Sequence, residues 1–132
     1  MDVFVRYRGS GRTVLASVSS NGVQENADST SFLNLGSGPM ISADGRCIGF
    51  ESSATNMVPG DTNGASDVFL RDVRAGTTKR VSVSNSGNQG NGLSVASSVS
   101  ANGRVIAFVS MASNLVDGDR NNAADVFVRE NP

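Results

Sequence analysis

The chain has 132 residues, the length of one domain, and a formal net charge of −1 at pH 7. It shows no basic stripe, so we expect neither a nucleic-acid partner nor an anionic membrane surface. The sequence contains no histidine, which excludes Ser-His-Asp and Cys-His catalytic arrangements and the usual zinc sites. The single cysteine, Cys47, excludes an intrachain disulfide framework.

The composition favours a soluble all-β domain spanning 1–132. Apolar residues make up 38% and aromatic residues 5%, while glycine occurs 15 times, which is typical of short strands joined by tight turns. No apolar run approaches the length of a transmembrane helix. The N-terminus lacks the charged-then-apolar pattern of a secretory signal. We therefore expect a cytoplasmic protein if the chain is complete, and an exported one if it is a trimmed fragment.

An internal repeat organises the chain. Residues 41–72 match residues 99–130 at 18 of 32 positions after a shift of 58. Residues 2–26 fall on residues 67–91 after a shift of 65. The seven-residue difference places a loop insertion at about 28–38. We therefore predict repeat copies at about 1–66 and 67–132.

In chain order, the complete unit contains four predicted strands, at about 39–43, 46–52, 67–71 and 79–84. The Asp44-Gly45 turn before the second strand is a strong hairpin signal. The second strand is almost continuously apolar, which predicts burial on both faces. The alternation in the fourth predicts a half-exposed outer strand. The N-terminal stretch 13–19 repeats the fourth strand, and the last 37 residues repeat the first three.

Small four-stranded sheets that recur every 40–60 residues are typical of β-propeller blades. The main alternative is a β-sandwich, in which each sheet has one buried face and one wet face. The two-sided burial predicted for the second strand disfavours that alternative. We therefore predict an all-β chain of about two propeller blades.

The stretch "SADGRCIGFES…GDTNGASDVFLRD…GTTKRVSVS" resembles the TolB-like propeller repeats. Their core phrase is Ser-x-Asp-Gly-Arg followed by an Ile-x-Phe strand. The matching residues are Ser42, Asp44, Gly45, Arg46, Ile48 and Phe50, and Asn102 replaces the Asp in the second copy. The resemblance implies that the Ser-x-Asp-Gly strand is innermost, next to a central channel. It implies little about function, because the family includes binding platforms and non-catalytic parts of larger enzymes.

Two blades cannot close a ring, since closed propellers have about 4–8. An open pair leaves an apolar face at each end, which predicts association. We expect a homo-oligomer with head-to-tail contacts, with six blades from three chains, the number typical of TolB-like rings. Two chains, four chains or a fragment of a longer propeller are the alternatives. In a ring, the "DVFV" strands that begin at Asp2 and Asp125 compete for one position.

Two loops carry oxygen ligands at the spacing that suits Ca²⁺. They contain Asp61, Asn63 and Asp67 in the first copy, and Asp119, Asn121 and Asp125 in the second. The alternative is structural, because Asp and Asn also stabilise turns by bonding their own backbone. Calcium is the one cofactor that the sequence indicates.

Other repeated polar residues are candidate ligand contacts. The amides are Gln24, Asn26, Gln89 and Asn91, and the cations are Arg46 and Arg104. The amides suit a sugar or peptide, or else they satisfy the loop backbone. The arginines suit an anion, or else a salt bridge. We expect Arg71 and Arg129 to form ion pairs between blades with Asp72 or Asp44.

These patterns favour a non-catalytic β-propeller that serves as a binding or assembly platform, with copies of itself as the main partner and a peptide or carbohydrate as the ligand class. A calcium-stabilised surface or adhesion module is the alternative. A sugar-acting enzyme is less favoured, because it needs a convergent pair of carboxylates and the chain has only three Glu residues.

Overall fold

The computed structural model describes residues 1–29 and 38–130, and every helix or strand assigned within these ranges is a β-strand. Nine strands form three antiparallel sheets of two, four and three strands. The predicted all-β class is therefore confirmed. Most of the predicted insertion at 28–38 lies outside the described residues.

The first sheet is a hairpin of β1 (Phe4–Tyr7) and β2 (Arg12–Leu15). It buries one face, which carries Val5, and leaves the other open, with Phe4 pointing away from the core. This alternation is the two-residue period of a strand, which places neighbouring side chains on opposite faces. The first sheet therefore covers its neighbour on one side only.

The second sheet follows the predicted four-strand order: β3 (Met40–Ile41), β4 (Cys47–Ser52), β5 (Asp67–Asp72) and β6 (Thr77–Arg80). All six residues of β4 are buried. The reason is that the second sheet lies between the first and the third, so both faces of its central strands are covered.

The third sheet contains β7 (Ser94–Val99), β8 (Val105–Ser110) and β9 (Asp125–Glu130). The strand order is β7-β8-β9, so β9 forms an edge of the sheet. Within the described residues nothing occupies the position that β6 has in the second sheet. A bulge shifts the register of β7 between Ala96 and Ser98.

The Ser-x-Asp-Gly motif forms the turn between β3 and β4. The Asp44 carboxylate accepts a hydrogen bond from the Arg46 amide at 3.1 Å, and Ser42 Oγ accepts one from the first amide of β4 at 2.9 Å. Gly45 has φ +69°, a conformation that glycine adopts without strain. In the third sheet, Asn102 Oδ1 accepts the equivalent hydrogen bond from the Arg104 backbone amide at 3.1 Å. Replacing Asp by Asn therefore keeps the turn.

Each sheet packs a bulky apolar face onto the smaller apolar face of the sheet before it. The first core combines Ile48, Phe50 and Phe69 with Val3, Val5 and Ala16. The second core combines the equivalent Ile106, Phe108 and Phe127 with Val68, Leu70 and Val81. The internal repeat is therefore a repeat of one packing interface.

The fourth strand ends earlier than its alternation predicts. β6 stops at Arg80, and the following Val81 and Ser82 are both buried. Ser82 Oγ accepts a hydrogen bond from the Val68 amide at 3.1 Å, which replaces a partner in the strand ladder. Because the side chain takes over this bond, the backbone leaves the sheet at this point. The prediction of a half-exposed strand over 79–84 is wrong in its boundaries and in the burial of its second half.

Arginines connect successive sheets, and among the described residues they do so through backbone carbonyls rather than ion pairs. Arg71 Nη1 donates to Ser19 O at 3.2 Å, and Arg129 Nη1 donates to Val83 O at 2.9 Å. Both acceptors are backbone carbonyls of the preceding sheet's outer segment. The expected carboxylate partners are not used, because Asp72 is bound to Arg46 instead. These bonds tie adjacent sheets together at their outer sides.

Candidate functional site

The first Asp-x-Asn loop surrounds an arginine. Arg80 Nη1 lies 3.2 Å from Asp61 Oδ1 and 3.0 Å from Asp67 Oδ2. The same nitrogen donates to Gln89 Oε1 at 3.0 Å. The side chains of Arg80 and both aspartates are almost closed to solvent. The positive charge among the predicted calcium ligands is therefore a guanidinium.

Asn63 completes this buried network. Its Nδ2 donates to Asp67 Oδ2 at 3.1 Å and to Gly90 O at 2.9 Å. Burial raises the pKa of Asp61, as does the nearby charge of Asp67, while Arg80 acts in the opposite direction. Buried carboxylates in such a network depend on their counter-charge. Calcium at this loop would have to displace Arg80.

The second Asp-x-Asn loop is more open. Asn121 Nδ2 donates to both oxygens of Asp125, at 3.1 and 2.9 Å. Asp119 and Asp125 line a depression of about 650 Å³. Among residues 1–29 and 38–130, no group of three or more His, Cys, Asp or Glu side chains is placed to hold a metal ion. Calcium at this loop stays a prediction from the sequence.

Two of the candidate amides clasp loops of adjacent sheets. Asn91 Nδ2 donates to Ser113 Oγ at 3.1 Å, and Asn91 Oδ1 accepts from the Ser113 amide at 2.9 Å. The backbone N–H of Asn91 donates to Asn114 Oδ1 at 3.0 Å. Asn26 makes the same three bonds to residues 55–56. The repeated asparagine therefore makes the same loop-to-loop contact in both copies.

The candidate glutamines are also engaged within the chain. Gln24 Nε2 donates to Asp2 Oδ2 at 3.1 Å. Gln89 Nε2 donates to Thr62 Oγ1 at 2.7 Å, and Gln89 Oε1 accepts from the Thr62 amide at 3.2 Å. A sugar or peptide that used these amides would have to replace bonds that hold the loops together.

The candidate arginines Arg46 and Arg104 lie in one cleft between the second and third sheets, here called the inter-sheet cleft. It measures about 410 Å³, and Cys47, Asp72 and Lys79 also line it. Arg46 holds Asp72 through Nε at 2.8 Å and Nη2 at 2.6 Å. These hydrogen bonds lower the pKa of Asp72. The cleft thus combines three basic side chains with one acidic side chain that is already neutralised.

Lys79, which is not one of the repeated candidate residues, is also a member of this cleft. Lys79 lies on β6, far from both Asx-Gly turns in the chain. The alternation of the fourth strand puts Lys79 on the same face as Val81 and Val83, and nothing in the sequence showed that this face meets Arg104. The packing of two sheets decides which outward-facing residues meet.

The close approach of the third sheet to the second at the cleft depends on Gly103. A Cβ at this glycine would lie 2.4 Å from Cys47 Sγ, so no other residue fits without displacement. Gly103 also has φ +71°, a conformation that favours glycine. The turn that carries Arg104 therefore sits directly against Cys47.

The apolar faces at the two ends of the chain are open. Val68 and Leu70 of the second sheet are 0% and 2% exposed, whereas the equivalent Val126 and Val128 of the third sheet are 73% and 69% exposed. At the other end, Phe4 is 60% exposed. The equivalent positions Val68, Leu70 and Phe69 are buried where a neighbouring sheet covers them.

A scan against protein-family models finds no match, and a search of curated proteins finds none either. Among solved structures, the chain is similar to a structure described as TolB from Acinetobacter baumannii, with 15% sequence identity and a TM-score of 0.49. The match covers 98% of this chain and 24% of that chain. In the described ranges no helix is long and apolar enough to cross a membrane.

Proposed function

We propose that the chain is a non-catalytic, β-propeller-type platform that associates head to tail with copies of itself. The observation that carries the proposal is the exposure of Val126 and Val128 at positions that are buried in the second sheet. Exposed apolar patches of this kind mark interaction sites. Phe4 is an exposed apolar residue at the opposite end of the chain.

The energetic scale indicates that burial of the side chains leaves little surplus over the cost of association. Full burial of Val126, Val128 and Phe4 contributes about 1.5–3 kcal/mol each. Association costs about 4–15 kcal/mol in lost freedom of motion. Main-chain hydrogen bonds are therefore needed as well, and two sheet edges can supply them.

We propose that β9 and β1 pair between neighbouring copies through their outer edges, which have no strand partner among the described residues. The two "DVFV" strands each have a partner in their own sheet, β8 and β2 respectively. Pairing of the outer edges adds the next chain's hairpin beside β9 and displaces neither strand. Strand addition of this type combines backbone hydrogen bonds with side-chain pockets. Three chains joined this way give the six blades of a closed ring.

The role as a scaffold is supported by how the predicted site residues are used. Asp61, Asp67 and Asn63 hold Arg80, and the repeated asparagines clasp neighbouring loops. These residues position the sheets, while the open ends and the inter-sheet cleft are available for contacts.

The test is the absolute mass by light scattering over a concentration series. We expect three times the 13.6 kDa of one chain for the unaltered protein, and a monomer for V126S/V128S. The matched control is V23S, which changes an exposed valine outside the end faces. A monomer for the unaltered chain at every concentration, or an assembly that survives V126S/V128S, would contradict the proposal.

A further inference from the structure

We propose that the inter-sheet cleft binds a small phosphate dianion, either free phosphate or a phosphomonoester. The cleft collects Arg46, Lys79 and Arg104, and among its described lining residues Asp72 is the one carboxylate. The formal charge of these four side chains is two positive charges. The proposal deepens the proposed function by naming a ligand class, but the cleft lies within one chain and does not depend on association.

Arg104 differs from its repeat equivalent in what it binds. β4 pairs Cys47 with Asp72, and β8 pairs Val105 with Glu130 in the same register. Arg46, beside the first pair, forms a two-nitrogen contact with Asp72. In the described part of the chain, Arg104 forms no ion pair with Glu130. Arg104 lines the inter-sheet cleft instead, so its guanidinium charge is available to a ligand.

The packing below Arg104 fixes its backbone before any ligand arrives. Gly103 rests against Cys47, and the Arg104 amide donates to Asn102 Oδ1 at 3.1 Å. A binding group whose backbone is held by packing and hydrogen bonds loses less freedom on binding than one on a loose loop. The turn therefore presents Arg104 to the cleft from a rigid base.

The apolar part of the cleft lining strengthens the electrostatic interactions of the charged side chains. Cys47 and Leu70 are buried and also line the cleft. Charges beside such low-dielectric surfaces interact more strongly than they do in water. Burial raises the pKa of the Cys47 thiol, so this residue adds no negative charge at neutral pH.

A phosphate group suits this arrangement better than a single carboxylate does. A phosphomonoester carries about −1.5 to −2 charges at pH 7, so its attraction to the Arg104 guanidinium exceeds that of a single carboxylate. Guanidinium groups bind phosphate oxygens through paired N–H donors, and an ammonium acts as a point charge. The volume of about 410 Å³ leaves room for a small substituent beyond the phosphate.

The experiment is isothermal titration calorimetry at low ionic strength with two probes, inorganic phosphate and phenyl phosphate. We expect both to bind, and tighter binding of phenyl phosphate would identify the ester as the better ligand. The variant R104Q should weaken binding roughly ten- to hundredfold, the loss of one or two charge-assisted hydrogen bonds. R120Q, which removes an exposed arginine outside the cleft, should bind like the unaltered chain.

A second measurement locates the ligand and checks folding. Amide shifts in a ¹⁵N NMR titration should move at Gly103, Arg104 and Thr77, and the rest of the R104Q spectrum should match the unaltered chain. The proposal is overturned if neither probe binds at millimolar concentration, if R104Q and R120Q weaken binding equally, or if succinate binds as tightly as phenyl phosphate. Light scattering on the same samples reports association separately, so failure of the ring leaves this result interpretable.

Discussion

Arg80 and Asp67 form an ion pair of 3.0 Å in the interior of the second sheet, and Asp61 approaches the same guanidinium nitrogen at 3.2 Å. The first sheet has no equivalent, because Leu15 occupies the position of Arg80. The network thus belongs to the one sheet that is covered on both sides. The counter-charge of both aspartates is Arg80, which lies on the following strand β6.

Replacing Arg80 by leucine, the residue found in the first copy, should destabilise the chain by about 3–5 kcal/mol, because two buried carboxylates lose their counter-charge. Urea denaturation measures the change. R120L is the control, since it removes an exposed arginine and should cost less than about 0.5 kcal/mol. The triple variant R80L/D61N/D67N should recover part of the loss. An R80L chain as stable as R120L would show that the ion pair contributes nothing.

Two glycines with the same backbone conformation offer a matched pair of substitutions. Gly45 and Gly103 have φ +69° and +71°, so an alanine at either position costs about 1–2 kcal/mol in backbone strain. Only at Gly103 would the new Cβ also collide with Cys47 Sγ. We therefore expect G103A to lower the melting temperature further than G45A, and C47A to restore part of that difference. Equal effects of the two alanines would contradict the close packing of the third sheet on Cys47.

The buried Glu25 should make stability depend on pH. Its side chain accepts a hydrogen bond from Ser52 Oγ at 2.8 Å and another from Ser29 Oγ. Oε1 is buried, and it has no hydrogen-bond partner in the described part of the chain. Burial raises the pKa of Glu25 above its ordinary value of 4.5, so the folded chain holds this proton more tightly than the unfolded chain does.

A raised carboxyl pKa stabilises the fold below the ordinary pKa, and this stabilisation is lost as pH rises through the folded value. E25Q cannot ionise, so it should flatten the decline of the unfolding free energy as the pH rises above the ordinary glutamate pKa of 4.5. Denaturation at a series of pH values measures the slope. The control E130Q changes an exposed glutamate and should leave the slope unaltered. An unchanged slope in E25Q would assign the decline to other groups.

Calcium should not stabilise the first Asp-x-Asn loop, because Arg80 already lies between Asp61 and Asp67. We expect the same melting temperature in CaCl₂ and in EDTA for a D117N/D119N/D125N chain, in which the three aspartates that line the second loop's depression are replaced. Calorimetric melting measures both conditions. A higher melting temperature in CaCl₂ for this variant would mean that the ion displaces Arg80, and it would support the calcium-stabilised module.

The sequence allowed the repeat, the strand order and the turn chemistry to be predicted, because these depend on neighbouring residues. The Asx-Gly turns form where the dipeptides occur, and the buried second strand follows from its continuous apolar run. The end of β6 could not be predicted in this way. Its stopping point depends on a bond between Ser82 Oγ and the Val68 amide across the sheet.

The candidate site shows the same division. The residue types at Arg46 and Arg104 indicated an anion, but their meeting in one cleft with Lys79 depends on how the third sheet packs against the second. The aspartates of the first loop indicated a cation, and the tertiary structure places the guanidinium of Arg80 between them. By itself the sequence determined what each sheet is made of, since strand and turn preferences are local. Only the tertiary structure decided which polar side chains became internal partners and which stayed open, because that choice depends on surfaces brought together from distant parts of the chain.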